Sequence, residues 1–250
     1  MKKFLFVDLD DTLFQTPAKC KPADALVPAA YYADGSVCSF TTAAQRALLE
    51  GFQAQMTLIP TTARSHAALE RVALPFSSYA ITNFGGLILQ PNGARDEHWH
   101  SQMGEALTPM AAELLGVKAR IDEFQQQQGW PGRARLMAEA GLTFYVNIKD
   151  PEKNTARLDM LQQQVVEPWL ADHASGFYLH RNGNNLAVLP PVLNKARAVV
   201  YLCTTLRAQY GEILTFGLGD SHSDAQFMTA CDYAIIPKGS QLAGLALGTL

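Results

Sequence analysis

The most constraining stretch of this chain is its beginning. Phe4-Leu5-Phe6-Val7 is a short, unbroken apolar run that closes on Asp8-Leu9-Asp10-Asp11. A strand apolar on both faces must be covered on both, which is the condition of a parallel sheet between helices. Acids at the carboxyl end of such a strand lie where open α/β sheets bind their ligands. The chain continues in kind. After a turn-rich stretch over residues 16–39, Thr41 is placed to cap a helix through Phe52, with Ala44, Leu48 and Phe52 at helical spacing. Residues 56–60 read as a second buried strand ending at Thr61-Thr62-Ala63-Arg64, before a helix over 65–72 and a strand over 79–82. From Asn194 the alternation resumes: a helix over 195–207, a strand over 213–217, a short helix over 224–230 and a strand over 233–236. This pattern predicts an α/β fold with a doubly wound, Rossmann-like parallel sheet.

The middle of the chain follows another rule. Leu107, Met110, Leu114, Ile121 and Phe124 have amphipathic helical spacing ahead of the glutamine run 125–128. Leu158, Leu161 and Val165 do the same around Gln162, Gln163 and Gln164, and both glutamine runs read as solvated helix ends. Between them Leu142, Phe144, Val146 and Ile148 alternate with period two, and residues 177–189 form a hairpin turning at Asn182-Gly183-Asn184. Helix, strand, helix and hairpin describe an inserted α+β domain. The expected division is a core of residues 1–88 and 189–250, with 89–188 threaded through it.

A second acidic group, Gly219-Asp220-Ser221-His222-Ser223-Asp224, also follows a buried strand. Asp224 falls in the first turn of the next helix, where a carboxylate is favoured. Taken alone, either acidic group reads as a solvated turn. If both strands meet at one sheet edge, their carboxylates converge, and packed like charges call for a cation or a proton between them. Oxygen-only ligands favour magnesium over zinc. Thr61 and Thr62 offer hydroxyls at the end of the second strand, either of which suits a phosphate oxygen. Lys195 offers a point charge, although a lysine at a helix start is usually a solvated surface group.

Asp8-x-Asp10-x-Thr12, Thr62-x-Arg64, Lys195 and Gly219-Asp220-Ser221-x-x-Asp224, in this order, resemble the four motifs of the haloacid dehalogenase-like (HAD) hydrolase superfamily. The long gap before Lys195 resembles subclass IIB, whose members carry a large α+β cap there and include sucrose-phosphate phosphatase-like and Cof-like sugar phosphatases. Ala63 stands where the subclass usually has Gly, and Ser223 where it often has Asn. Asn83-Phe84-Gly85-Gly86 resembles the subclass's Asn-Gly turn leading into the cap, with one residue inserted. The resemblance implies a Mg2+-dependent phosphatase acting on a small phosphorylated metabolite, a sugar phosphate by default, through an aspartyl-phosphate. It implies Asp8 as nucleophile, Asp10 as general acid and base, and Thr62 and Lys195 on the transferring oxygens. Asp8, the Asp10 backbone carbonyl and Asp220 would ligate the metal, with Asp224 ligating or orienting. A phosphotransferase or mutase using the same nucleophile, and a non-catalytic phosphometabolite-binding protein, are the alternative readings. A phospho-receiver domain fits poorly, because its acceptor Asp ends a middle strand.

Composition excludes other partners. Twenty basic against 23 acidic residues give a net charge of −3, with no basic stripe for nucleic acid. Cys20, Cys38, Cys203 and Cys231 form no CxxC pair, so neither a zinc ribbon nor a dithiol motif is expected. Asp8 interrupts the apolar run too early for a secretory signal, and the uncharged stretch 72–94 is too polar for a membrane span, which makes cytoplasm the default. His98 and His100 are placed to share one face of a strand, as a structural pair. His222 reads as a solvated loop residue, as do Arg133, Arg135, Lys149 and Arg181 on the insertion, and residues 16–39 as a flap or a plain loop.

Overall fold

The computed structural model of the protein describes residues 1–21, 25–173 and 176–246. Residues 22–24 of the expected loop and 247–250 of the expected core therefore lie outside the described residues. The described strands are β1 (Lys2–Val7), β2 (Val27–Tyr31), β3 (Val37–Thr41), β4 (Thr57–Pro60), β5 (Ala80–Thr82), β6 (Leu87–Leu89), β7 (Arg135–Glu139), β8 (Leu142–Ile148), β9 (Tyr178–Asn182), β10 (Asn185–Leu189), β11 (Ile213–Leu218) and β12 (Tyr233–Ile235). The described α-helices are α1 (Ala43–Gln53), α2 (His66–Leu69), α3 (Glu97–Leu107), α4 (Ala111–Gln127), α5 (Thr155–Leu161), α6 (Glu167–Asp172), α7 (Lys195–Tyr210), α8 (His222–Met228) and α9 (Gln241–Ala246).

The chain separates into two compact units, one of Met1–Glu97 with Asn194–Leu250 and one of His98–Leu193. In the first, a parallel sheet runs in the order β12-β11-β1-β4. β1 lies inside it, and Phe4, Leu5, Phe6 and Val7 are at most 3% exposed, which is why no polar residue interrupts the run. Burying each such side chain contributes roughly 1.5–3 kcal/mol. On one face Leu5, Val7, Leu9, Leu13 and Phe14 pack with Leu49 of α1, Leu58 of β4 and Leu218 of β11. β5 joins the edge through a single parallel bridge, Thr61 to Ile81, and turns back as the antiparallel β5-β6 hairpin.

The second unit is an antiparallel sheet of order β7-β8-β10-β9. Val146, Ile148, Leu186 and Val188 form one core with Leu114, Val117 and Ile121 of α4 and with Leu158, Leu161 and Trp169. The turn between β9 and β10 is Gly183-Asn184, with Gly183 at φ 53, a conformation natural to hairpin turns.

The structure corrects several expectations. Residues 27–41 are not loop but the β2-β3 hairpin. Thr41 ends β3, and the helix cap is Thr42, whose hydroxyl accepts from the Gln45 N–H while the Gln45 side chain accepts from the Thr42 N–H. His98 and His100 lie on α3, not on a strand, and His98 contacts Gln102 one turn on. Gln125 is buried at 3% exposure rather than solvated, and Gln162–Val166 is a π-helical turn leading to Pro168 of α6. The unit boundaries also differ from 88/89 and 188/189. Leu89 still pairs with Ala80, and Asp96 accepts from the Tyr201 hydroxyl at 3.0 Å, so the first unit runs past 88. Leu189 pairs with Tyr178, whose hydroxyl donates to the Leu193 carbonyl at 2.6 Å, so 189–193 belong to the second.

Candidate active site

Parallel pairing brings three strand ends to one edge. The Asp8 N–H continues the ladder onto the Leu218 carbonyl at 2.9 Å, and the Thr61 N–H reaches the Val7 carbonyl at 2.8 Å. Asp8 itself is buried. From the opposite side comes α7, capped by Asn194, whose side-chain oxygen accepts from the Ala196 N–H at 2.7 Å. Its first residue, Lys195, is 4% exposed. The Lys195 Nζ donates to Asp8 Oδ1 at 2.6 Å and to Asp224 Oδ1 at 2.7 Å. A lysine at a helix start has thus become the buried centre of a carboxylate pair.

Gly217 near the end of β11 and Gly219 at the start of the second acidic loop are there for space. A Cβ on Gly217 would lie 2.8 Å from the Met228 Cα, and one on Gly219 would lie 2.5 Å from the Asp224 Cβ. Both α8 and Asp224 therefore pack directly on the end of β11. Ser221 holds Asp224 in place: its N–H and its hydroxyl donate to Asp224 Oδ2 at 3.1 and 2.6 Å. Thr12, buried four residues after Asp8, spans the two acidic groups, its hydroxyl lying 3.4 Å from Asp8 Oδ2 and 3.3 Å from Asp220 Oδ1.

Carboxylate oxygens of Asp8, Asp220 and Asp224 all lie within 4.8 Å of one another. One ammonium faces three acids, and the electrostatics follow. Burial pushes the Asp8 carboxyl well above the usual carboxylate range, helped by Asp224 and opposed by Lys195. Burial and Asp224 lift Asp220 to about 6. For Asp224 burial acts the same way, but the Lys195 ammonium and the Ser221 donors outweigh it and hold the group low. Lys195 is raised, its burial being outweighed by Asp224 and Asp8. The donor set is all oxygen, buried at Asp8 and Asp224 and half-buried at Asp220, and short of positive charge, which fits a hard divalent cation such as Mg2+.

Asp10 does not join this cluster. β1 ends at Val7, Leu9 turns into the core, and the Asp10 carboxylate is gripped by Arg64 through two N–H donors at 2.7 Å each. The Arg64 guanidinium lies 5.0 Å above the Phe14 ring. The backbone carbonyl of Asp10, the atom expected to ligate, is a separate group from this side chain. The two threonines differ. The Thr61 hydroxyl donates to the Ile59 carbonyl at 3.1 Å, whereas the Thr62 oxygen accepts from the Arg64 N–H at 3.1 Å and keeps its own proton to donate. His222 is exposed on α8, and Arg133, Arg135 and Lys149 are exposed on the second unit, where Arg181 pairs with Asp159 at 3.0 Å.

Beneath Thr62 lies an unusual turn. Asn83, Phe84 and Gly85 all have positive φ (51, 55 and 94°) and all are buried. Asparagine tolerates this region; for phenylalanine it costs about 1–2 kcal/mol. The Asn83 N–H donates to the Arg64 carbonyl at 2.7 Å and the Phe84 N–H to the Thr62 carbonyl at 3.2 Å.

Sequence reasoning left Thr12, Ser221 and Arg64 without a role at the site. For Thr12 and Ser221 the signal was their spacing from Asp8 and Asp224; for Arg64, a lone cation beside Thr62, it was position alone.

The parallel sheet, the motif order and the carboxylate cluster agree with the family match in making this a HAD-superfamily hydrolase of the IIB type, a phosphoric monoester hydrolase. The family model for sucrose-6F-phosphate phosphohydrolase matches residues 1–243, and the chain belongs to that family. Among solved structures, the sucrose-phosphatase of Synechocystis sp. PCC6803 in complex with sucrose and phosphate is 20% identical with a TM-score of 0.56, over 100% of this chain and 90% of that one. The C-terminal domain of the trehalose-6-phosphate phosphatase of C. albicans is 14% identical with a TM-score of 0.54, over 92% of this chain and 73% of that one. The IMP-nucleotidase of Plasmodium falciparum, truncated at its N-terminus and bound to IMP, is 13% identical with a TM-score of 0.57, over 98% and 67%. At these identities the likeness is one of fold. No curated protein sequence matches the chain. No helix among the described residues is long and apolar enough to cross a membrane.

Proposed function

We propose that this protein hydrolyses the phosphomonoester of a small phosphorylated sugar, with Mg2+ as cofactor and Asp8 as nucleophile. The observation that carries the reading is the buried Lys195 ammonium bridging Asp8 and Asp224 at 2.6 and 2.7 Å, with Asp220 in the same cluster. The family match supports a sugar phosphate, with a disaccharide monophosphate as the first ester to try.

An oxygen of Asp8 attacks phosphorus, the bond from phosphorus to the sugar oxygen breaks, and an aspartyl-phosphate forms. Asp10, once its fork to Arg64 opens and its carboxylate takes up a proton from solvent, delivers that proton to the departing alkoxide. It then accepts a proton from the water that attacks the phosphorus, which frees phosphate and restores Asp8. Lys195 fixes the attacking carboxylate and, with the Thr62 hydroxyl, holds the transferring oxygens as their charge redistributes. Asp8, Asp220 and Asp224, with the Asp10 backbone carbonyl, are the groups that would hold Mg2+. When bound, the ion supplies positive charge against the phosphoryl oxygens.

The test is phosphate release from a panel of sugar monophosphates, with Mg2+ and with a chelator. We expect turnover that the chelator abolishes and that Asp8→Asn lacks. Undiminished turnover in chelator, or in folded Asp8→Asn, contradicts the reading.

A further inference from the structure

The left-handed turn at Asn83–Gly85 lies against two stretches of backbone, the Thr62–Arg64 loop and the start of α7. Two of its N–H groups hold the carbonyls of Arg64 and Thr62, at 2.7 and 3.2 Å. Its third residue faces the start of α7: a Cβ on Gly85 would lie 2.5 Å from the Asn194 carbonyl oxygen and 3.1 Å from the Lys195 nitrogen. Asn194 is the cap of α7 and Lys195 its first residue. One buried turn thus touches the main chain on both sides of the site. The sequence signal is Asn83-Phe84-Gly85-Gly86, where a buried phenylalanine holds a conformation its side chain disfavours.

We infer that the Asn83–Gly85 turn is a positioning element for phosphoryl transfer, which sets the distance between the Thr62 hydroxyl and the Lys195 ammonium. The inference rests on the phosphatase reading and extends it. The turn acts through two backbones, that of the Thr62–Arg64 loop and that of the start of α7. Strain of this kind persists only where the surroundings enforce it. Here the enforcing contacts are the Thr62 and Arg64 carbonyls and the close seat of α7. A shift of the cap by about 1 Å, enough to relieve the collision with a Cβ on Gly85, moves the Lys195 ammonium away from Asp8 and Asp224, while the Thr62 loop stays with the turn. Misplacement on that scale costs on the order of 100-fold in rate.

The test is Gly85→Ala against Gly93→Ala. Gly93 has a similar φ of +81° but open space around its Cβ position, so its variant carries the backbone strain without the collision. Both are assayed for kcat, KM, Tm and inhibition by orthovanadate, which mimics the phosphoryl group in flight. For Gly85→Ala we expect kcat to fall about 100-fold, and vanadate inhibition to weaken by at least tenfold, in protein that remains folded by circular dichroism. Gly93→Ala should lose a few degrees of Tm and keep wild-type kcat and vanadate affinity. If Gly85→Ala loses Tm but retains kcat and vanadate inhibition, the turn is merely structural and the inference is overturned. Should Gly85→Ala not fold, Asn83→Val and Asn83→Gly replace it. The β-branched residue resists positive φ and glycine accepts it, so kcat and vanadate affinity should fall for valine and recover for glycine. Equal values in the two, or a loss of stability alone, overturn it as well. A wild-type protein without Mg2+-dependent turnover refutes the phosphatase reading instead, which separates the two failures.

Discussion

Lys195→Met isolates the electrostatics of the site. The methionine keeps the length of the buried stem and removes the ammonium that donates to Asp8 and Asp224. Three carboxylates of one cluster are then left with no lysine among them. Breaking a buried ion pair by removing one partner costs about 3–5 kcal/mol, because the remaining charge stays desolvated. At about 2–4 °C per kcal/mol for a chain of this size, Tm should fall by roughly 6–20 °C in chelator. The sign with pH is settled by the raised Lys195 pKa. Its contribution is fully present below the unfolded lysine value near ~10.4, so an assay at neutral pH reads all of it. Adding Mg2+ should recover part of the loss, since a cation among the acids replaces missing positive charge. The double variant Lys195→Met/Asp224→Asn should recover part of it in chelator, because one stranded charge is gone. Thermal denaturation of the three proteins, with and without Mg2+, reads each step. A Lys195→Met protein as stable as wild type in chelator refutes the charge argument, as does a double variant less stable than the single.

Gly219→Ala places a Cβ 2.5 Å from that of Asp224, so it should lose at least tenfold in kcat and about 1–3 kcal/mol of stability by denaturant titration. In the second unit, burial opposes ionisation of Asp150, but N–H groups of Asn154 and Glu152 and the Arg157 guanidinium outweigh it and lower its pKa. Its contribution is present above the unfolded value near ~3.9 and is lost as pH falls through the folded one. Asp150→Asn should therefore cost about 1 kcal/mol at pH 6, with the Tm difference from wild type closing as pH falls below the unfolded value.

Much of the site was legible because its residues sit on the ends of buried strands. Phe4–Val7 admits only a two-sided interior, and the acid that follows must then stand at the sheet edge. Asp8, Thr62 and Asp220 follow such strands, and their order with Lys195, at the start of α7, carried the resemblance to the superfamily. What was not legible depends on chain direction after the strand ends. Asp8 and Asp10 are two residues apart, which suggests one face, yet β1 stops at Val7 and Asp10 turns to Arg64. The β2-β3 hairpin was hidden because Pro28 and its irregular pairing break the alternation that marks a strand. His98 and His100 alternate as strand residues do, and only the helix begun at Glu97 decides otherwise. The Asn83–Gly85 turn shows in sequence as an Asn-Gly turn with one residue inserted, but nothing in Phe84 announces a positive φ.

The central claim is that Asp8 carries the phosphoryl group between two half-reactions. Rapid acid quench during turnover of a sugar monophosphate, followed by borohydride trapping and peptide mass spectrometry, reads it directly. The account predicts reduction of residue 8 to homoserine in wild type, dependent on substrate and Mg2+ and missing in Asp8→Asn. A trapped acyl phosphate at any other residue, or inversion of configuration at phosphorus with no trapped species, contradicts it.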